Sequence, residues 1–465
     1  MDEGRRRHRC AFCPGSRLLS RALERAELSL SQAAEAWRQS RVGPHDQFSF
    51  FDSLSTRSLT LRFPSTAPWL PLPPGGEDEG SSFRWQRRVW CYSYWLARRR
   101  RRVAIRACSA SETRWRTWAF VYGNDSGQPA LRLPYGETFH RATGRFSNGR
   151  LVLDFIAETL GLPFVSPYLS GRSAEDFACG ANFAVGGATA LSPDFFRDRG
   201  FDGTGNVVHL DVEMKWFREL LDQFCPGNLT GCSDMVNRSL FLVGEIGGND
   251  YNIPLLSKVP FKKIRAFTPS VVAKISSTIT ELIQLGAKTL VVPGNLPIGC
   301  VPKYLMIFKS NKEEDYEPQT GCLRWMNKFS QYHNKLLMKE LKKLRKLHPG
   351  VTIIHADYYG AAMEIFLSPE QYGIEDPLMA CCGGGGPHGV SPTTNCGRGK
   401  YTVCDDPEKY GSWDGFHPSE AAYRAIAMGH LRGSYTHPPI ASTTSSCPQL
   451  AELGSSTKYK PLYDM

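Results

Sequence analysis

A three-layer α/β/α sandwich around a mostly parallel sheet is the fold this sequence predicts, and three observations predict it. Residues 239–243, 289–293 and 351–356 are short, nearly unbroken apolar runs rich in Val, Ile and Leu. That is the pattern of strands buried on both faces. The stretches 211–224, 271–285 and 323–347 repeat apolar residues at helical spacing, and strands separated by helices of that length are joined by crossovers, as parallel sheets require. Finally, the runs break at polar or glycine turns, Gly247-Gly248-Asn249-Asp250 and Gly294-Asn295-Leu296-Pro297 among them. In such sheets the functional loops follow the carboxyl ends of the strands.

With 465 residues, 41% of them hydrophobic, the chain is long enough for one large α/β domain with a substantial core. Its formal charge of +11 invites a nucleic-acid partner. The charge is not distributed as such a partner requires: residues 54–118 alone hold 13 arginines against four acids, and the rest of the chain is nearly balanced. No nucleic-acid partner is therefore expected. That same segment contains a proline-rich piece (Pro64, Pro68, Pro71, Pro73, Pro74) and the run Arg98 to Arg102, without any sustained helix or strand period. It reads as foreign to the domain around it, as a retained intron or a misjoined reading frame would be. The predicted layout is an atypical extension at 1–47, a main domain at 48–435 interrupted at 54–118, and a tail at 436–465.

Fourteen cysteines exceed what a typical cytosolic enzyme carries. The close pair Cys225/Cys232 and the set Cys381, Cys382, Cys396 and Cys404 read as disulfides of an exported protein, with connectivity left open. Cys10 and Cys13 have metal-like spacing but no second pair, so no metal site is expected there. The triplets starting at Asn124, Asn228 and Asn237 match the glycosylation pattern. The first 47 residues, however, show no signal peptide, and no stretch has membrane-spanning length.

In chain order, residues 16–40 suit a surface helix, and 47–51 read as a strand running into a turn at Asp52-Ser53. Residues 141–150 form a glycine-punctuated polar loop that leads into an amphipathic helix from 151, ending near Gly161. Residues 180–189 are small and should pack closely. After the alternating strands and helices comes Asp414-Gly415-Phe416-His417-Pro418, followed by helical periodicity. Pro418 suits the first helical position, which would project His417 from the helix entrance with Asp414 three residues before it.

Taken together, Gly144-Arg145-Phe146-Ser147-Asn148-Gly149-Arg150, Gly247-Gly248-Asn249-Asp250 and Asp414-Gly415-Phe416-His417 occur in the order of the plant GDSL esterase/lipases, a branch of the SGNH hydrolases. The chain resembles that family from Tyr122 to about Tyr435, with a short match at 48–55. The resemblance implies a flavodoxin-like SGNH fold and a serine esterase acting on acyl or acetyl esters of small molecules, lipids or cell-wall material, exported from the cell, with no metal and no cofactor. It implies Ser53 as nucleophile, His417 as base, Asp414 as its orienter, and Gly149 and Asn249 as oxyanion donors. Those are the groups that acyl transfer requires. Phe51 stands where the family has the glycine of Gly-Asp-Ser-Leu, and Ser53 lies far upstream of Gly149. Asp125-Ser126 is a rival pair without a preceding buried strand. The competing expectation is a catalytically impaired relative that binds an ester or glycan.

Overall fold

The computed structural model describes residues 106–107 and 128–439. Six strands appear in the first part of the chain: Arg106–Ala107 (β1), Ser166–Pro167 (β2), Ala181–Asn182 (β3), Leu240–Val243 (β4), Thr289–Pro293 (β5) and Thr352–Ala356 (β6). Five more follow among the described residues: Asp376–Ala380 (β7), Cys382–Gly383 (β8), Thr402–Val403 (β9), Tyr410–Ser412 (β10) and Thr436–His437 (β11). One seven-stranded sheet runs in the order β11-β6-β5-β4-β1-β3-β2. Every pairing in it is parallel except that of β11 with β6.

Side-chain alternation along the strands makes the two helical layers necessary. In β4, β5 and β6, Leu240, Leu242, Val291 and Ile354 pack on one face with the helices Val152–Thr159, Tyr358–Leu367 and Glu420–Leu431. Their neighbours Phe241, Val243, Leu290, Val292 and Ile353 pack on the other, against Leu210–Phe224, Thr268–Gln284 and Arg324–Leu347. Both faces are apolar because both are covered, so the strands read as continuous apolar runs rather than alternating ones. Each fully buried side chain of this kind contributes roughly 1.5 to 3 kcal/mol.

The predicted sandwich is the observed one, and the predicted helices recur within a few residues of their expected limits. The start of the last helix differs. Glu420, not Pro418, is its first helical residue, and Ser419 is the N-cap, with Oγ accepting from the Ala422 amide at 3.2 Å. A serine hydroxyl satisfies an otherwise orphaned donor of the first turn, which proline at N1 cannot do. His417 therefore sits in the turn between β10 and the helix. The expected strand at 47–51, the helix at 16–40, and Ser53 and Ser126 lie outside the described residues. The position between β4 and β3 is held by β1, which pairs through Arg106↔Leu242, Ala107↔Val243 and Arg106↔Asn182. This strand comes from within 54–118.

A third, smaller core holds Ala130, Tyr135, Cys381, Cys382, Cys396 and Trp413. It is stapled by Cys381–Cys404 and Cys382–Cys396, while Cys225–Cys232 and Cys300–Cys322 close loops elsewhere. The pairings within the 381–404 set are thereby resolved. Among the described residues no helix is long and apolar enough to cross a membrane.

Candidate active site

Strand β10 delivers Trp413, which is wholly buried, and the chain then reverses through Asp414 to His417. The reversal is built by the aspartate itself. Its Oδ1 accepts the amides of Phe416 (2.9 Å) and His417 (2.8 Å), and its Oδ2 accepts from His417 Nδ1 at 2.7 Å and from the Tyr135 hydroxyl at 2.7 Å. Gly415 is needed at the turn: its φ is +91°, and a Cβ there would lie 2.4 Å from Val390 Cγ1. Both carboxylate oxygens are thus paired, by three donors that the turn itself positions and by the Tyr135 hydroxyl from a distant segment.

Burial acts to raise the Asp414 pKa, but the His417 charge and the hydrogen bonds from His417 and Tyr135 outweigh it and hold the carboxyl at about 2. Burial and the adjacent Asp414 charge push the Tyr135 hydroxyl well above its ordinary value, so it stays a donor. Because Asp414 occupies Nδ1, Nε2 is the nitrogen available to act as a base. The imidazole lies against the Phe146 ring, with centroids 4.7 Å apart. Nothing in the spacing of the sequence announces Tyr135; it lies 279 positions from the residue it serves.

His417 lines a cavity of about 460 Å³. Val207, Val208, Ile253, Leu256, Leu296, Ile298 and Val301 make its walls largely apolar, and Asn249 enters from the start of the helix Gly248–Leu256. The Asn249 amide nitrogen donates to the Ala188 carbonyl at 3.0 Å, which fixes the orientation of the amide and leaves its second N–H for another acceptor. Gly186 and Gly187 line the same cavity. Gly187 has φ +88° and nothing within 4 Å of where a Cβ would be. Of the small residues at 180–189, Ala181, Ala184, Ala188 and Thr189 are buried, in keeping with the close packing expected of them, while Gly186 and Gly187 border the cavity.

Gly149 lies elsewhere. It is not among the cavity-lining residues, and its amide donates to Ser147 Oγ at 3.3 Å. A Cβ at this position would fall 1.5 Å from Glu420 Oε2 and 2.2 Å from Thr138 Oγ1. Around it, Glu420 accepts from Thr138 (2.8 Å), from the Arg150 amide (2.9 Å) and from Arg150 Nε (2.7 Å), while the Glu420 amide donates to Asn148 Oδ1 at 2.8 Å. Arg145 grips Asp154 through two bonds of 2.7 and 2.6 Å. The block 144–150 thus ties the loop carrying Tyr135 to the helix that follows His417. Gly149→Ala is expected to destabilise the fold by about 2 kcal/mol through overpacking, lowering the melting temperature by several degrees in a calorimetric scan. Unchanged melting would mean that this network has more slack than its distances show.

Of the five residues named from sequence, the structure brings His417 and Asn249 to one cavity, bonds the buried Asp414 to His417, leaves both Asp414 and Gly149 off the cavity lining, and does not describe Ser53. The family model described as GDSL-like Lipase/Acylhydrolase matches residues 109–429. Two GDSL esterase/lipases of Arabidopsis thaliana are each 49% identical over 309 residues, which is 66% of this chain and 78% and 76% of theirs. A sinapine esterase of Brassica napus is 43% identical over 326 residues, 69% of this chain and 84% of its own.

Proposed function

We propose, from the premise that this chain belongs to the GDSL-like lipase/acylhydrolase family and is a hydrolase of ester bonds, that it works through His417 as base and Asp414 as its orienter. The observation that carries the reading is that His417, which lines a largely apolar cavity, is held through Nδ1 at 2.7 Å by a buried carboxylate. His417 Nε2 takes the proton of a serine hydroxyl, and the imidazolium that forms is stabilised by Asp414. The same proton then goes to the departing alkoxide, and a water repeats the cycle on the acyl-enzyme.

Asn249 supplies one donor for the oxyanion. The backbone at Gly186–Gly187 is better placed than Gly149 to supply another, since it borders the cavity and the Gly149 amide is already bonded. The apolar walls favour an acyl or aromatic portion of the ester, and the volume suits a small or medium ligand. One relative is named for esterase activity on sinapine; the proposed substrate is an ester small enough for the cavity of about 460 Å³. The four disulfides among the described residues support export of the protein.

The nucleophile is proposed to be Ser53. A fluorophosphonate probe reports an activated serine without assuming a substrate, and digestion of the labelled chain locates it. The expected result is one labelled peptide containing Ser53, lost in Ser53→Ala. Label on another serine, Ser126 included, transfers the role to that residue. A folded chain that takes no label and still binds an ester favours the impaired ligand-binding relative.

A further inference from the structure

Asp250 is fully buried beside Asn249, and no step of the proposed chemistry uses it. Its Oδ2 accepts the Ala190 amide at 2.7 Å and its Oδ1 the Leu191 amide at 3.0 Å. With the bond from Asn249 to the Ala188 carbonyl, two adjacent residues at the head of one helix hold residues 188, 190 and 191 of one loop. The loop is tied on its other side as well: the Thr189 amide donates to the Val208 carbonyl at 3.0 Å, and the Leu210 amide donates to the Thr189 carbonyl at 3.1 Å. Directly upstream lie Gly186 and Gly187, whose backbone borders the cavity.

A buried carboxylate is a costly way to satisfy two amides. Burial pushes the Asp250 carboxyl up to about 7, with only backbone amides pulling it down. The geometry explains why a carboxylate is nevertheless suited to this place. Two amide donors on successive residues converge from one side, and a carboxylate is the shortest side-chain group with two acceptor oxygens for them. Asparagine has one, and its NH₂ would face an N–H.

Resting on the reading of Asn249 given above, we propose that Asp250 is a positioning residue for the reaction, holding the Gly186–Leu191 loop in register with Asn249 so that the oxyanion side of the cavity is set before the ester arrives. A shift of about 1 Å in such a site can cost on the order of a hundredfold in rate.

The test is a double-mutant cycle on the full chain with Asp250→Asn, Asn249→Ala and the pair, measured on a short-chain nitrophenyl ester. Activity is normalised to active sites titrated with a fluorophosphonate. Asp250→Asn is expected to lower kcat per titrated site by about a hundredfold, with KM within about threefold of wild type. The double variant is expected to be little slower than Asn249→Ala alone, because a positioning residue has nothing further to lose once its partner is gone. A lower melting temperature with unchanged kcat per titrated site would show a purely structural role and overturn the proposal, as would fully additive effects where Asn249→Ala is itself slow. Should Asp250→Asn fold poorly, Asp250→Glu, which keeps both oxygens but displaces them by one methylene, gives the same comparison. Wild-type kcat in Asn249→Ala together with a slow Asp250→Asn would remove Asn249 from the oxyanion site and leave the clamp acting through the glycine loop.

Discussion

Replacing His417 by alanine is expected to abolish ester hydrolysis, lowering kcat by about 10⁴-fold or more while the protein stays folded. The size of the effect follows from the lack of a substitute. A serine hydroxyl is a weak nucleophile until a base takes its proton, and the other cavity-lining groups among the described residues include no second histidine. The fold should tolerate the change because the imidazole is part-exposed and its backbone bonds, the amide to Asp414 and the carbonyl to the Trp413 amide, do not involve the side chain. Turnover of a nitrophenyl ester, together with a circular dichroism spectrum, checks both halves. Retention of most of the activity by a folded variant would remove His417 from the mechanism.

The second large effect is expected from Asp414→Asn, at about 10⁴-fold in kcat. An amide can still accept the amides of Phe416 and His417 through its oxygen, so the turn survives. Its nitrogen would then face His417 Nδ1 and the Tyr135 hydroxyl, where Oδ2 now accepts from both. Nδ1 has to become an acceptor, the ring proton moves to Nε2, and the base is lost through the wrong tautomer. A pH dependence of stability follows from the same carboxylate. Its folded pKa of about 2 lies below the ordinary value of 3.8. The stability it contributes is therefore present above about pH 4 and is lost as pH falls through about 2. By the usual conversion the difference is on the order of 2 kcal/mol. Acid unfolding of Asp414→Asn should lack that component between pH 4 and 2, and an identical acid profile in wild type and variant would show that the carboxylate is not held as described.

The layered fold was legible in the sequence because a strand covered on both faces must be apolar throughout: Leu240 to Val243 and Thr289 to Val292 have no polar alternative except at their ends. The helix Arg324–Leu347 was legible because one side meets the sheet and the other meets water. The start of the last helix was misjudged by two residues, since both Pro418 and Ser419 are good starting residues and only the bond from the Ala422 amide decides between them.

By itself the sequence determined the buried strands, the long amphipathic helices and the local Asp414–His417 pair, all of which depend on residues near each other in the chain. Tertiary structure alone decided what lies far apart. It set Tyr135 on the Asp414 carboxylate, packed Gly149 against Glu420 off the cavity lining, and brought Gly186 and Gly187 to the cavity. It also placed Arg106–Ala107 between β3 and β4. The physical reason is that periodicity and turn chemistry are short-range, whereas a donor's partner, or the space beside a glycine, is fixed only when distant segments pack together.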